Sequence, residues 1–265
     1  TVWGRGLGSS QAGSQVYIGG QQAAHVYFWG NADGQSGGGP ADLYTYHQMQ
    51  EISFSIPATA PDGAVKIKVV VGGVDSNELD FTIRAGNIWY VKGTGNNATG
   101  NGSWSNPWAT VDYYDSPAGA SAKAVVVPGD IIYACDVSEG PDAVDIRSKT
   151  GTANMPFALI AYPGKYYHAT AYQPELVQKP NGIVNYFYNN DYWNFSKLHV
   201  TSDASGITAF YAMRVIGCEF DDTDCASGEG GAISGNHRQA GGGIKCFGNY
   251  IHDFGGLCTI TKQHV

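Results

Sequence analysis

Short apolar segments alternate with polar turns along the C-terminal part of the chain, from Asn194 to Ile251. Three phrases can be aligned there: Asn194–Val200, Arg214–Phe220 and Lys245–Ile251. The alignment places in register Phe195, Val215 and Cys246; Leu198, Cys218 and Asn249; and Val200, Phe220 and Ile251. Short apolar strands that recur at roughly 20–30 residues are typical of a coiled β-solenoid, in which each strand is buried by stacking on the next coil.

A strict alternation of apolar and polar residues predicts further strands in the N-terminal part. Four segments show it: Val16–Ile18, Ile52–Ile56, Val65–Val69 and Leu79–Ile83. Because this alternation is typical of half-buried strands with turns between them, residues 1–86 are expected to form a small β-sandwich.

Glycines of this first unit fall at the turns that an immunoglobulin-like fold needs. Together with the strand Ile52–Pro57, the segments Gly4–Gly8, Val16–Gly20 and Gly72–Phe81 resemble an IPT/TIG domain. The resemblance implies a bacterial surface or carbohydrate-active protein. It also implies one more strand before Gly4, which we expect either from sequence outside this chain or from another subunit by β-strand addition.

An insertion rich in Gly and Tyr, from Trp29 to Met49, interrupts the first unit. Its aromatic residues Trp29, Tyr44 and Tyr46 are candidate contacts for a sugar or a protein partner, because exposed aromatic rings stack on such ligands. Replacing all three with Ala is expected to abolish binding without unfolding the sandwich. The alternative is a loop that folds over its own sandwich.

Residues 87–265 carry a second resemblance. The strand Trp89–Lys92, the segment Asn106–Thr110, the phrase Pro128–Tyr133 and the phrase Pro156–Gly164 resemble the cap and first coils of right-handed parallel β-helix proteins of the pectate-lyase-like superfamily. The predicted fold is therefore all-β, an Ig-like sandwich followed by an incomplete parallel β-helix.

The superfamily resemblance implies the chemistry of polysaccharide lyases, which need a Lys or Arg base and a group that neutralises the substrate carboxylate. We assign no catalytic residue, because the coils that carry such residues are expected beyond residue 265. Candidates by residue type alone are His237, Arg238, Lys245, His252, Lys262 and His264. The alternative for these six is an ordinary solvated position.

Four carboxylates follow the Phe220 strand within nine residues: Asp221, Asp222, Asp224 and Glu229. Carboxylate oxygens are the ligands that Ca²⁺ prefers, so this loop is a candidate calcium site, with a solvated acidic turn as the alternative. No other cofactor is expected.

Two further features concern covalent chemistry. Cys225 and Cys258 are the preferred disulfide pair among five cysteines, with buried thiols stacked in the core as the alternative. Asn97 and Asn101 begin glycosylation acceptor patterns in a polar loop, whereas Asn194, which also matches, opens a strand and is expected to be structural.

The charge and the apolar content of the chain argue against some classes of function. The net charge of −8 and the absence of a Lys/Arg cluster argue against a nucleic-acid partner. No apolar run is long enough to span a membrane. We therefore expect an extracellular or cell-surface protein that binds polysaccharide or associates with itself, as an adhesin or a filament subunit. The alternatives are the N-terminal portion of a secreted polysaccharide lyase or glycoside hydrolase, and a phage tailspike-type receptor-binding protein.

Overall fold

A computed structural model describes residues 1–34, 42–140, 144–147, 149–171, 183–185, 191–202, 206–209, 212–221, 232–235 and 243–252. The protein is all-β, with antiparallel sheets in its N-terminal part and parallel sheets in its C-terminal part. The chain separates into two compact units, unit 1 (Thr1–Ala85) and unit 2 (Gly86–Val265).

The described residues of unit 1 form two antiparallel sheets. Its elements are β1 (Val2–Gly4), β2 (Gln15–Ile18), β3 (Gln21–Gln22), β4 (His25–Asn31), α1 (Tyr44–His47), β5 (Gln50–Ser55), β6 (Gly63–Val71), β7 (Val74–Asp75) and β8 (Leu79–Ile83). One sheet has the order β1-β5-β4, and in the other β6 pairs with β2, β7 and β8, while β3 pairs with β2. The four predicted segments all fall in strands, although Ile56 lies just beyond β5.

The core of unit 1 is formed by apolar side chains from both sheets, including Val16, Ile18, Trp29, Ile52 and Val69. The insertion begins later than the sequence predicts, because β4 continues to Asn31 and pairs with β5. Trp29 is therefore part of a strand.

The described residues of unit 2 form three parallel sheets. Its strands are β9 (Ile88–Lys92), β10 (Ile131–Cys135), β11 (Val137–Glu139), β12 (Val144–Ile146), β13 (Phe157–Ala161), β14 (Tyr167–Ala171), β15 (Ile183–Asn185), β16 (Trp193–Ser196), β17 (His199–Ser202), β18 (Ile207–Ala209), β19 (Arg214–Ile216), β20 (Glu219–Asp221), β21 (Ile233–Gly235), β22 (Lys245–Phe247) and β23 (Tyr250–His252), with a 3-10 helix at Ala120–Ala122. Sheet I has the order β9-β10-β13-β16-β19-β22, sheet II β11-β14-β17-β20-β23 and sheet III β12-β15-β18-β21. From β10 to β21, each three consecutive strands visit sheets I, II and III in turn, and we call such a set a repeat.

The register predicted from the three aligned phrases is confirmed. Phe195 pairs with Val215, which pairs with Cys246, and Val200, Phe220 and Ile251 are matched in the same way in sheet II. Phe195, Val215, Val200 and Phe220 are fully buried, so the shared apolar positions form the core between the sheets. Each repeat buries its inward side chains against the next, as solenoid stacking requires.

The corner between sheets I and II repeats a left-handed residue. Asp136, Lys197, Gly217 and Gly248 have φ values of 54°, 59°, 61° and 60°. Each follows a sheet I strand and precedes a sheet II strand by one or two residues. This geometry turns the chain sharply, so residues at the ends of the two strands stack from one repeat to the next.

The first strand of sheet I, β9, has its outer edge covered by the loop of residues 93–111. Tyr90 N donates to Gly102 O at 2.8 Å, Lys92 N donates to Trp108 O at 2.9 Å, and Trp108 N donates to Tyr90 O at 3.1 Å. The indole of Trp108 is buried in the core. Covering this edge satisfies backbone groups that an open strand would expose, and it positions the loop residue Trp104 beside Tyr90.

Candidate functional site

Four aromatic side chains meet on the outer face of the first strands of sheet I. Tyr90 on β9 and Tyr133 on β10 are in register, and their ring centroids are 6.1 Å apart with planes inclined by 21°. Both rings point outward, because side chains alternate along a strand and the neighbouring Val91 and Ile132 are buried. Tyr162 follows β13 and contacts Tyr133, with centroids 5.5 Å apart.

Trp104 completes this group. Its ring meets the edge of Tyr90 at 5.1 Å and packs against Tyr162 at 5.3 Å between centroids. Lys92 Nζ lies 3.4 Å from the centre of the Trp104 ring and donates to Trp104 O at 2.8 Å. We call Tyr90, Trp104, Tyr133 and Tyr162, with Lys92, the aromatic cluster.

The chemistry of the aromatic cluster follows from the exposure of Trp104, which is 50%. An indole held by three side chains keeps a fixed orientation and still presents a large apolar surface to water. Aromatic rings with one apolar and one wet side suit ligands that combine apolar faces with hydroxyl groups. Lys92 makes a cation–π contact with the indole, and this contact further restricts the position of the Trp104 ring.

A second group of side chains lies on the outer face of sheet II. His168 on β14, His199 and Thr201 on β17, Glu219 and Asp221 on β20, and His252 on β23 form it, and we call them the outer ladder. All are half-buried, and they alternate with inward residues such as Val200 and Phe220. Register therefore stacks His168 on His199, and Thr201 on Asp221.

The contacts of the outer ladder join neighbouring repeats. The imidazole rings of His168 and His199 are parallel within 2°, with centroids 4.1 Å apart. His168 Nε2 lies 2.8 Å from Thr201 Oγ1, and the Thr201 hydroxyl donates to Asp221 Oδ1. His252 Nε2 lies 2.8 Å from Glu219 Oε1.

The pKa values of His168 and Asp221 in the outer ladder are both lowered, for different reasons. Burial, followed by the adjacent His199 ring, lowers the pKa of His168 from its usual 6.5. Burial alone would raise the pKa of Asp221, but contacts with His199 and Thr201 outweigh it and lower that pKa to about 2. His199 Nε2 lies 3.3 Å from Asp221 Oδ1, close enough for an ion pair when protonated, in an orientation that leaves Nε2 without a hydrogen bond.

The three aromatic residues chosen from the insertion lie in different environments. Trp29 is only 9% exposed, and its Nε1 donates to Leu7 O at 2.9 Å. Its ring belongs to the core of unit 1, so a surface contact with a ligand is not available to it in this structure. Tyr44 is half-buried at the start of α1, whereas Tyr46 is 69% exposed. The hypothesis of a ligand contact in unit 1 is carried forward by Tyr44 and Tyr46.

For the proposed calcium loop, the structure describes Asp221 alone. Its carboxylate is engaged with Thr201 and His199 in the outer ladder. Asp222, Asp224 and Glu229 lie outside the described residues. Within the described ranges, no group of three or more His, Cys, Asp or Glu side chains is arranged to hold a metal ion.

Two of the six residues named by type alone are described. Lys245 is exposed at the start of β22, and His252 contacts Glu219 in the outer ladder. His237, Arg238, Lys262 and His264 lie outside the described residues.

The candidates for covalent chemistry have different outcomes. The Asn97 side chain is buried, and its Nδ2 donates to Thr110 Oγ1 at 2.7 Å and to Asp115 Oδ2 at 2.8 Å. A glycan replaces one hydrogen of that amide nitrogen and would therefore break at least one of the two bonds, whereas Asn101 is exposed. Cys225 and Cys258 lie outside the described residues.

Sequence reasoning missed the aromatic cluster, and of the outer ladder it singled out only Asp221 and His252, for other roles. It did not single out Trp104 or the tyrosines of sheet I, because they are far apart in sequence and meet only through strand register. The outer ladder had a detectable signal. Once Val200, Phe220 and Ile251 are aligned, the residues on either side of each must also stack, on the opposite face of the sheet.

Comparison with protein-family models, curated proteins and solved structures finds no match for this chain. Among the residues that the structure describes, no helix is long and apolar enough to cross a membrane.

Proposed function

We propose that this protein is an extracellular, carbohydrate-binding structural protein, an adhesin or a filament subunit. In this proposal unit 1 is an Ig-like sandwich of the IPT/TIG type, and unit 2 is a right-handed parallel β-helix. The two antiparallel sheets of unit 1 and the threefold cycling of strands in unit 2 support this assignment of folds. The low content of charged residues, 14%, agrees with a neutral or weakly charged ligand.

The observation that carries the function is the aromatic cluster. Trp104 is half exposed although it contacts Lys92, Tyr90 and Tyr162. A ligand that covers the exposed indole removes apolar surface from water, and this contributes of the order of 25 cal/mol of binding free energy per Å² covered. A sugar ring offers an apolar face for this surface, and its hydroxyl groups remain free to bind nearby polar atoms. Because the cluster is formed before a ligand arrives, little side-chain ordering opposes binding.

The test measures binding of the full chain to a neutral glucan, a xylan and a polygalacturonate by titration calorimetry. Binding to at least one polymer is expected, and Trp104→Ala should weaken it at least tenfold. Tyr114→Ala is the matched control, since its ring is more exposed than Trp104 and does not belong to the cluster, and Tyr46→Ala tests the alternative contact in unit 1. Loss of binding in Tyr46→Ala with normal binding in Trp104→Ala would move the site to unit 1 and contradict the proposal.

A second candidate is the N-terminal portion of a polysaccharide lyase or glycoside hydrolase. The outer ladder favours it, since histidines and carboxylates are the groups that proton transfer requires. Incubation with the bound polymer distinguishes the two functions. New reducing ends or unsaturated products would support the enzyme, and an intact polymer would support the binding protein.

A further inference from the structure

Three polar contacts of the outer ladder join residues that are not matched in strand register, whereas the hydrogen bond from Thr201 to Asp221 joins a matched pair. His168 on β14 contacts Thr201 on β17, His199 on β17 approaches Asp221 on β20, and Glu219 on β20 contacts His252 on β23. In strand register, by contrast, His168 is matched with His199 and Thr201 with Asp221. Each diagonal contact therefore ties one repeat to the next on the solvent side of sheet II.

The hydrogen positions in the chain from His168 to Asp221 can be assigned from donor capacity. A Thr hydroxyl has a single hydrogen, and Thr201 donates it to the Asp221 carboxylate. Thr201 Oγ1 must therefore accept in its 2.8 Å contact with His168 Nε2. It follows that His168 Nε2 carries a hydrogen, and that neutral His168 is the tautomer with a bare Nδ1.

From this geometry we infer that the outer ladder is an acid-sensitive contact between repeats, in which protonation of His168 keeps its hydrogen bond to Thr201 and weakens the stacking of its ring on His199. A proton added at Nδ1 places a positive charge on a half-buried ring that lies 4.1 Å from the His199 ring. Burial opposes this charge most strongly, and the neighbouring His199 ring opposes it as well. The lowered pKa of His168 agrees with this.

Other groups face His168 from every strand of the sheet near it. Ser138 on β11 is matched with it in register, Thr170 lies two residues along β14, and Thr170 Oγ1 is 3.4 Å from His168 Nε2. Asp221 and Glu219 on β20 favour a charge on His168, and they oppose the effects of burial and of His199. On β23, His252 and Tyr250 stack at 4.4 Å, and His252 contacts Glu219. The acid response of the ladder thus depends on His168, where burial and His199 outweigh the carboxylates.

The first test is an NMR titration of the full chain, following the imidazole nitrogens of His168. We expect the hydrogen on Nε2 and a midpoint below the usual 6.5. A midpoint at or above 6.5, or a hydrogen on Nδ1 in the neutral ring, would overturn the inference. This measurement needs no variant, so it does not depend on whether a substituted chain folds.

The second test compares hydrogen exchange in two sheets as the pH falls from about 7.5 to about 5, across the usual histidine range. Exchange rates are corrected for the intrinsic effect of pH. We expect amides of sheet II, at Ala169, Val200 and Phe220, to lose protection at least threefold more than Leu159 and Phe195 of sheet I. A uniform loss in both sheets would contradict a response located in the ladder.

His168→Gln is the informative variant, because its side-chain amide can still donate to Thr201 but does not titrate. It should abolish the difference between the sheets. His47→Gln is the control, since His47 is an exposed histidine on α1 of unit 1. If His168→Gln keeps the same acid response as the unmodified chain, the response belongs to another group and the inference is wrong.

Discussion

Asp130 offers the sharpest test of how unit 2 begins. Its carboxylate is completely buried and accepts four hydrogen bonds. Oδ1 accepts from Asn87 N at 2.7 Å and Asn87 Nδ2 at 3.1 Å, and Oδ2 accepts from Trp89 Nε1 at 2.7 Å and Val127 N at 3.0 Å. These bonds tie the segment before β9 to the turn before β10.

The expected loss of unfolding free energy follows from the hydrogen-bond donors that a substitution of Asp130 leaves without a partner. Asp130→Ala removes the acceptor of two backbone N–H groups and one indole N–H, and water reaches the exposed Asn87 and Val127 in part. At about 1 kcal/mol for each of these donors, we expect a loss of about 2–4 kcal/mol of unfolding free energy. Asp130→Asn keeps one acceptor oxygen and turns an NH₂ group towards the other donors, so about 1–2 kcal/mol is expected.

The assay is native-state hydrogen exchange at Trp89 and Ile132, the paired residues of β9 and β10. It reports on unit 2 directly, whereas a single denaturation curve would combine two units. Asp80→Ala is the control, because the Asp80 side chain is 91% exposed in its ion pair with Lys66 and should change stability by less than about 0.5 kcal/mol. A change of less than about 0.5 kcal/mol in Asp130→Ala would refute the reasoning.

Three further predictions follow from burial. Trp29→Ala should destabilise unit 1 by about 3–5 kcal/mol, whereas Tyr46→Ala should cost less than about 0.5 kcal/mol; equal costs in urea denaturation would contradict the buried position of Trp29. Burial raises the pKa of Glu139 to about 8, above its usual 4.5, so its contribution to stability is complete below about pH 4.5 and is lost as the pH rises through 8. Glu139→Gln should flatten this part of the profile of stability against pH, and an unchanged slope would exclude Glu139 as its source. Burial also raises the pKa of the Cys218 thiol to about 12. Alkylation mapped by mass spectrometry should therefore modify Cys218 only after unfolding, and the exposed Cys246 in the native protein. Rapid labelling of native Cys218 would contradict its position in the core.

The repeating part of the fold could be predicted because its signal is local and periodic. Phe195, Val215 and Cys246 occupy matched positions on β16, β19 and β22, and matching these three residues is enough to set the register of those three strands. The same register carries the outer ladder, but the apolar signal marks only the inward positions. His199 and Thr201 were thus within reach of the sequence, as was the register that matches them with Glu219 and Asp221. The diagonal approach of His199 to Asp221 was not.

The aromatic cluster was beyond the reach of the sequence for a different reason. Trp104 and Tyr162 are 58 positions apart, and their contact depends on how the loop of residues 93–111 covers the edge of β9. Composition favoured Trp29 instead, which has aromatic neighbours in sequence. The hydrogen bond from Trp29 Nε1 to Leu7 O and the pairing of β4 with β5 bury that ring. Composition alone cannot assign an aromatic residue to core or surface.

The most direct measurement of the central claim is an oxidative footprint of the aromatic cluster, with and without a bound polysaccharide. Trp104 is half exposed and should be oxidised readily in the free protein. We predict that saturating polysaccharide protects Trp104 at least fivefold and leaves Tyr46 and Tyr114 unprotected. Oxidation of Trp104 at the same rate with the ligand bound would contradict carbohydrate binding at this cluster.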